Sequence, residues 1–273
     1  MLSDRYSGRD LVVANGAFSS YAGAGIILGP YLEVAILKML GARASYGTVM
    51  AINVFVVAMM CCVARESLSE SKRLPVTLRD CSPLTFIQML RAGSVNQRLM
   101  LIVMLQSFSE PARASAYWDM NMLSLRNNLG WTSSEISTFM TILGTSVVVG
   151  GKTVKAQLNM LGMRGHTTVS NLAMALAFLL QGAGRANSFT AKYLSQYFAL
   201  SLWFLGGRKR DAVEALCTEL TLRKCKDMGK GQISSALTNF KSLATIIGPR
   251  LSGTAYAYGA SQGIQGLPYK LIG

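Results

Sequence analysis

The feature that most restricts this chain is residues 45–64, an apolar run in which Asn53 is the only strongly polar member. About 20 mainly apolar residues is the length of helix that crosses a bilayer. A helix of this composition has no polar face to show to water. Residues 11–36 are also long enough and hold one charge, Glu33. Residues 136–151 are shorter and, like residues 167–183, uncharged, and residues 193–207 are apolar with Tyr193, Tyr197, Phe198, Trp203 and Phe204 near the two ends. Two further stretches, 97–123 and 232–258, are less clean. The first holds Glu110, Pro111, Arg113 and Asp119, and the second holds Lys241 and Arg250. The expectation is an all-α, polytopic membrane helical bundle of about seven transmembrane helices.

Charge agrees with this division. Of the 273 residues, 51% are hydrophobic and 15% are charged, against about 25% charged in a soluble domain. The net charge of +14 would suggest a polyanionic partner in a soluble protein. Here the basic residues lie between apolar runs, and no zinc spacing or RNP-like aromatic motif accompanies them, so nucleic acid is not the expected partner. Arg5 and Arg9 precede the first run. Arg65, Lys72, Arg73, Arg79 and Arg91 follow the second, Lys152, Lys155 and Arg164 the fourth, and Arg208, Lys209, Arg210, Arg223, Lys224, Lys226 and Lys230 the sixth. The alternate loops are poorer, with Lys38 and Arg43, then Arg126, then Arg185 and Lys192. Basic loops at every second crossing place the N-terminus in the cytoplasm, with the lipid bilayer as the surrounding partner. The polar stretch 65–96 reads as a cytoplasmic loop between residues 1–64 and 97–273, and the first ten residues lack the pattern of a signal peptide.

Little points to catalysis. The cysteines Cys61, Cys62, Cys81, Cys217 and Cys225 are odd in number and lack a C-x-x-C pair, so they build neither a disulfide framework nor a zinc site. His166 is the single histidine, beside an expected membrane boundary. Gly150-Gly-Lys-Thr153 is not a P-loop, because Ser146 stands where the motif needs its first glycine. No enzyme activity, metal or cofactor is expected.

Two segments are alike. Residues 17–30 end in Gly29-Pro30 and residues 237–249 end in Gly248-Pro249, each closing an apolar, small-residue-rich helix. Five spans lie between them, so the period is six helices and both cross in one direction. Parallel six-helix repeats build the halves of major facilitator transporters. Gly25-Ile-Ile-Leu-Gly29-Pro30 resembles the antiporter motif of the fifth helix in that superfamily, although Glu33 and Val34 stand where the family has a second glycine pair. Glycines on one face permit close helix packing, and proline kinks a helix. Arg65-Glu-Ser-Leu68 resembles the segment closing helix six, Ser82-Pro-Leu-Thr-Phe86 the approach to helix seven, and residues 231–249 helix eleven. The nearest likeness is to the tetracycline-resistance-like and hippocampus-abundant-transcript-like group.

The resemblance implies a partial major facilitator fold running from helix five to helix eleven. Residues 1–64 would be the last two helices of the first half, 65–96 the central loop, and 97–273 the second half without its last helix. It implies a secondary transporter of a small solute, with proton coupling. The alternative is a truncated, non-transporting membrane protein or interaction partner. Ionisable groups inside a span are candidate sites for substrate or proton. Glu110, Arg113 and Asp119 lie in the expected helix seven, with a solvated helix end as the other reading. Glu33 is either a proton carrier or an interfacial residue beside Lys38. Gly25, Gly29, Pro30, Gly248 and Pro249 form the expected packing and kink motif.

Overall fold

The computed structural model describes residues 5–63, 120–184, 187–206, 212–215, 218–219, 230–264 and 266–272, apart from the side chains at 33, 34, 230, 240, 241, 244 and 272. Among these residues the protein is all-helical, with no strand. Helix α1 spans Gly8–Val63, α2 Ser133–Gly182, α3 Ser195–Gly206, α4 Lys230–Ser261 and α5 Leu267–Ile272. Short π-helical turns at Ser124–Asn128 and Thr190–Leu194 precede α2 and α3.

Two of the helices are each broken at one glycine. Gly41 in α1 has φ 77° and ψ 171°, and Gly162 in α2 has φ 65° and ψ 174°. Only glycine adopts this region without strain. At Gly162 the consequence is a reversal of direction. Positions 150 and 174 are 24 residues apart, which in a straight helix is about 36 Å. Both nevertheless meet the last turn of α3. A Cβ at Gly150 would stand 2.7 Å from the Phe204 carbonyl oxygen, and Gly206 packs on Met174. The Ser170 hydroxyl donates to the Leu205 carbonyl at 2.7 Å. Residues 133–161 and 163–182 are therefore the two arms of a helical hairpin. Gly41 repeats the same backbone conformation in α1.

The arms of α1 combine length with apolar composition. Gly8–Leu32 and Ala35–Val63 are each long and apolar enough to cross a membrane, and they contain most of the expected spans 11–36 and 45–64. The second arm has none of its residues buried, with Met50, Phe55 and Val57 all more than half exposed. Helices also form over 136–151, 167–183, 193–206 and 232–258, without meeting that measure of length and composition.

Contacts divide the bundle into two ends. At one, Val12, Val154, Leu158, Ala212 and Ala215 form a buried cluster with Leu11, Val13 and Met163 against it. At the other, Leu125, Leu129, Trp131, Phe139, Leu143 and Leu200 form a second, and Met120, Met174, Phe178 and Tyr269 a third.

Candidate functional site

The first arm of α1 lies antiparallel to the first arm of α2, and glycine makes the contact. Gly16 meets Gly151, Gly23 meets Gly144 and Val148, and Ile27 again meets Gly144. The Ser20 hydroxyl bridges the seam, donating to its own helix at the Gly16 carbonyl (3.2 Å) or across to Val148 (3.1 Å). Farther along, the Tyr31 and Thr141 hydroxyls share a hydrogen bond at 3.3 Å. Each helix contributes two glycines seven positions apart, which is about two helical turns. A Cβ at Gly23 would stand 2.9 Å from the Gly144 carbonyl and from the Val148 nitrogen. Backbone therefore lies on backbone, an approach that side chains would prevent.

The second feature caps α2. Thr132 and Glu135 form a reciprocal capping box: the Glu135 nitrogen donates to the Thr132 hydroxyl oxygen at 3.4 Å, and the Thr132 nitrogen and hydroxyl donate to the Glu135 carboxylate at 2.6 and 2.8 Å. The Tyr193 hydroxyl adds a third donor at 2.6 Å. These hydrogen bonds, Tyr193 first, hold the Glu135 carboxyl at about 2, well below its ordinary 4.5. Around it Trp131 stacks on Tyr193 and Tyr197, both at 5.7 Å between ring centroids, and meets Phe139 edge-on. The Lys192 ammonium lies 4.9 Å from the Tyr193 ring centroid.

The third feature is a buried polar group at the same end. The Tyr269 hydroxyl donates to Asn121 Oδ1 at 2.9 Å, Asn128 Nδ2 to Ser124 Oγ at 3.2 Å, and the Tyr256 hydroxyl to Asn128 Oδ1 at 3.4 Å. Burial pushes the Tyr269 phenol above its usual range, so it is a neutral donor here. His166 is buried as well, at 1% exposure.

The candidates read from sequence fall unevenly on this framework. Glu110, Arg113 and Asp119 lie outside the described residues, and Glu33 is placed in α1 by its backbone alone. Pro30 and Pro249 sit inside α1 and α4. Gly248 is buried and Pro249 exposed. Gly25 and Gly29 have open space where a Cβ would stand. The glycines in contact across the α1–α2 seam are Gly16, Gly23, Gly144 and Gly151, and their matched seven-residue spacing is the signal that could have found them. Among the described residues no group of His, Cys, Asp and Glu could hold a metal ion. The chain matches no protein-family model, no curated protein and no solved structure.

Proposed function

We propose that this chain is a multi-pass membrane protein of major facilitator type, a secondary transporter that moves a small solute by rocking of two helical bundles. Proton coupling belongs to the same reading. The observation that carries it is the glycine seam. On the sequence division, α1 belongs to the first half and α2 to the second, so the seam joins the halves. A seam in which glycine backbones meet and few hydrogen bonds cross suits two rigid bundles that must change their mutual tilt, since little interlocking has to be undone.

The two ends of the bundle support the same topology. The described parts of the basic segments expected in the cytoplasm, 5–10, 152–166 and 212–215, border the Val12–Val154–Ala212 cluster. The described segments expected on the far side, 124–135 and 187–192, meet at the Trp131–Tyr193 cluster. Seven crossings, with the N-terminus cytoplasmic, account for both groupings. The test is flux. Reconstituted in proteoliposomes with an imposed pH gradient, the protein should accumulate at least one solute from a broad panel, and accumulation should collapse with the gradient. Absence of flux across the panel counts against transport.

One observation favours a second reading, a non-transporting membrane protein that acts as a partner. The second arm of α1 buries no residue against the described part of the chain, leaving a whole helix surface for lipid or for another protein. Co-purification of a stoichiometric membrane partner, together with a failed flux assay, would favour it.

A further inference from the structure

Asn121 joins two segments far apart in sequence. The residue has 0% exposure. Its carbonyl oxygen accepts from Tyr269, but its Nδ2 group is enclosed with no acceptor. A buried donor left unmatched is costly, and such groups are rare enough in native proteins to ask what completes them. Tyr269 also lies beside Ser124 and Tyr256, Asn128 links those two, and all of these are uncharged polar side-chain types. The ring of Tyr269 packs with Met120, Met174 and Phe178. It arrives on α5, a helix of six residues, which follows a turn at Gly263 (φ 70°). The chain there docks by laying Gly266 directly on the Gly182 backbone.

We propose that this end of the bundle is a binding site for a neutral, ring-bearing alcohol, centred on Asn121, and that Tyr269 is the built-in occupant which such a solute displaces. The ligand class follows from the occupant and from the unmatched donor. Tyr269 is itself a neutral ring with a hydroxyl at its far end, and its hydroxyl already finds the Asn121 carbonyl. A hydroxyl carries one donor and two acceptor sites. A free solute, unconstrained by the chain, can therefore donate to Oδ1 and also accept from Nδ2. A charged solute would be buried here without a counter-charge among the side chains named. As a solute site for transport the proposal rests on the transporter reading, while its chemistry does not.

The experiment uses the full chain in detergent and 4-methylphenol, the tyrosine side chain as a free molecule. Toluene lacks the hydroxyl and 4-methylbenzoate is charged. Tyr269→Ala should lower the thermal midpoint, and 4-methylphenol should restore it saturably. Toluene should need about tenfold more for the same effect, the worth of one hydrogen bond, and 4-methylbenzoate should have none. In Asn121→Leu/Tyr269→Ala the advantage of 4-methylphenol over toluene should vanish. Should the alanine variant fail to fold, Tyr269→Phe and the wild type carry the test by equilibrium dialysis of radiolabelled 4-methylphenol. Both should bind it saturably and in preference to toluene. Equal action of toluene and 4-methylphenol would reduce the site to an apolar hole and overturn the proposal. So would an undiminished preference after Asn121→Leu, or absence of saturable binding. Hydroxyl-selective binding in a protein that shows no flux would keep the site and remove the transporter.

Discussion

Adding one methyl group at two glycines of α1 and α2 should have opposite effects. Alanine is favoured over glycine inside a helix by about 0.5–1 kcal/mol. At Gly25 nothing stands within 4 Å of the new Cβ, so Gly25→Ala should collect that gain in full. At Gly151 the Cβ would fall on the Gly16 carbonyl and the Ser20 hydroxyl oxygen, and 3.2 Å from the Ser20 backbone nitrogen. Two of these three atoms are main chain and cannot rotate away, so the helices must part. Overpacking of this kind costs about 1–3 kcal/mol. Parting also stretches the 3.1 Å hydrogen bond from Ser20 to Val148, worth about 0.6 kcal/mol between membrane helices on average. After subtracting the propensity gain, Gly151→Ala should be destabilising by about 1–3 kcal/mol. The two variants should therefore differ by about 2–4 kcal/mol, with the wild type between them. The assay is reversible unfolding in mixed micelles, followed by helical circular dichroism and tryptophan fluorescence. If Gly151→Ala proves as stable as Gly25→Ala, the seam is not closely packed and the argument for a backbone-on-backbone interface fails.

Three further outcomes are expected. Phe139 is fully buried and sits edge-on to Trp131, so Phe139→Ala should cost about 3–5 kcal/mol, read as a fall in the thermal midpoint in detergent. Glu135 is held at about 2 in the folded chain against an ordinary 4.5. A lowered carboxyl pKa stabilises the fold above the unfolded value, and that contribution is lost as pH falls from 4.5 towards 2. Wild type should thus exceed Glu135→Gln in stability at pH 7, and the gap should close in acid; a gap independent of pH would mean that the carboxylate charge is not what caps α2. Finally, the apolar arms Gly8–Leu32 and Ala35–Val63 should keep the protein in the membrane pellet through alkaline carbonate, with release only by detergent. Release by carbonate alone would remove the spanning reading.

What could be read from the sequence follows from the length and apolar composition of its runs. Length and hydropathy report directly on the solvent around a helix, so residues 11–36 and 45–64 were legible, and both lie largely within the apolar arms of α1. The all-helical character followed from the same runs. The capping box was also open to reading, since Thr132 and Glu135 stand at the required spacing just before an apolar run. The breaks at Gly41 and Gly162 fall where the charge pattern had already separated apolar runs, between Lys38 and Arg43 and between Lys155 and Arg164; what could not be read is that one glycine makes each break. The hydrogen bond between Tyr269 and Asn121 could not be read at all, since it joins positions 148 residues apart.

The glycines are the instructive case. Gly25 and Gly29 stand out in the sequence because they adjoin Pro30, yet the close contacts between α1 and α2 belong to Gly16, Gly23, Gly144 and Gly151. In water a packing face is marked by apolar side chains, because burial drives association. In lipid both faces are apolar, and that contrast is lost. What marks a helix–helix face there is missing volume, and it must be missing on two helices at once. A motif read along one helix sees only half of that condition. The matched spacing of 16 and 23 against 144 and 151 supplies the other half, through an antiparallel register that becomes visible only when the two helices are laid together. Gly25 and Gly29 satisfy the first half alone. On the physical argument they lower helix propensity without gaining a close contact in the described chain, which is why alanine at Gly25 and alanine at Gly151 should move stability in opposite directions.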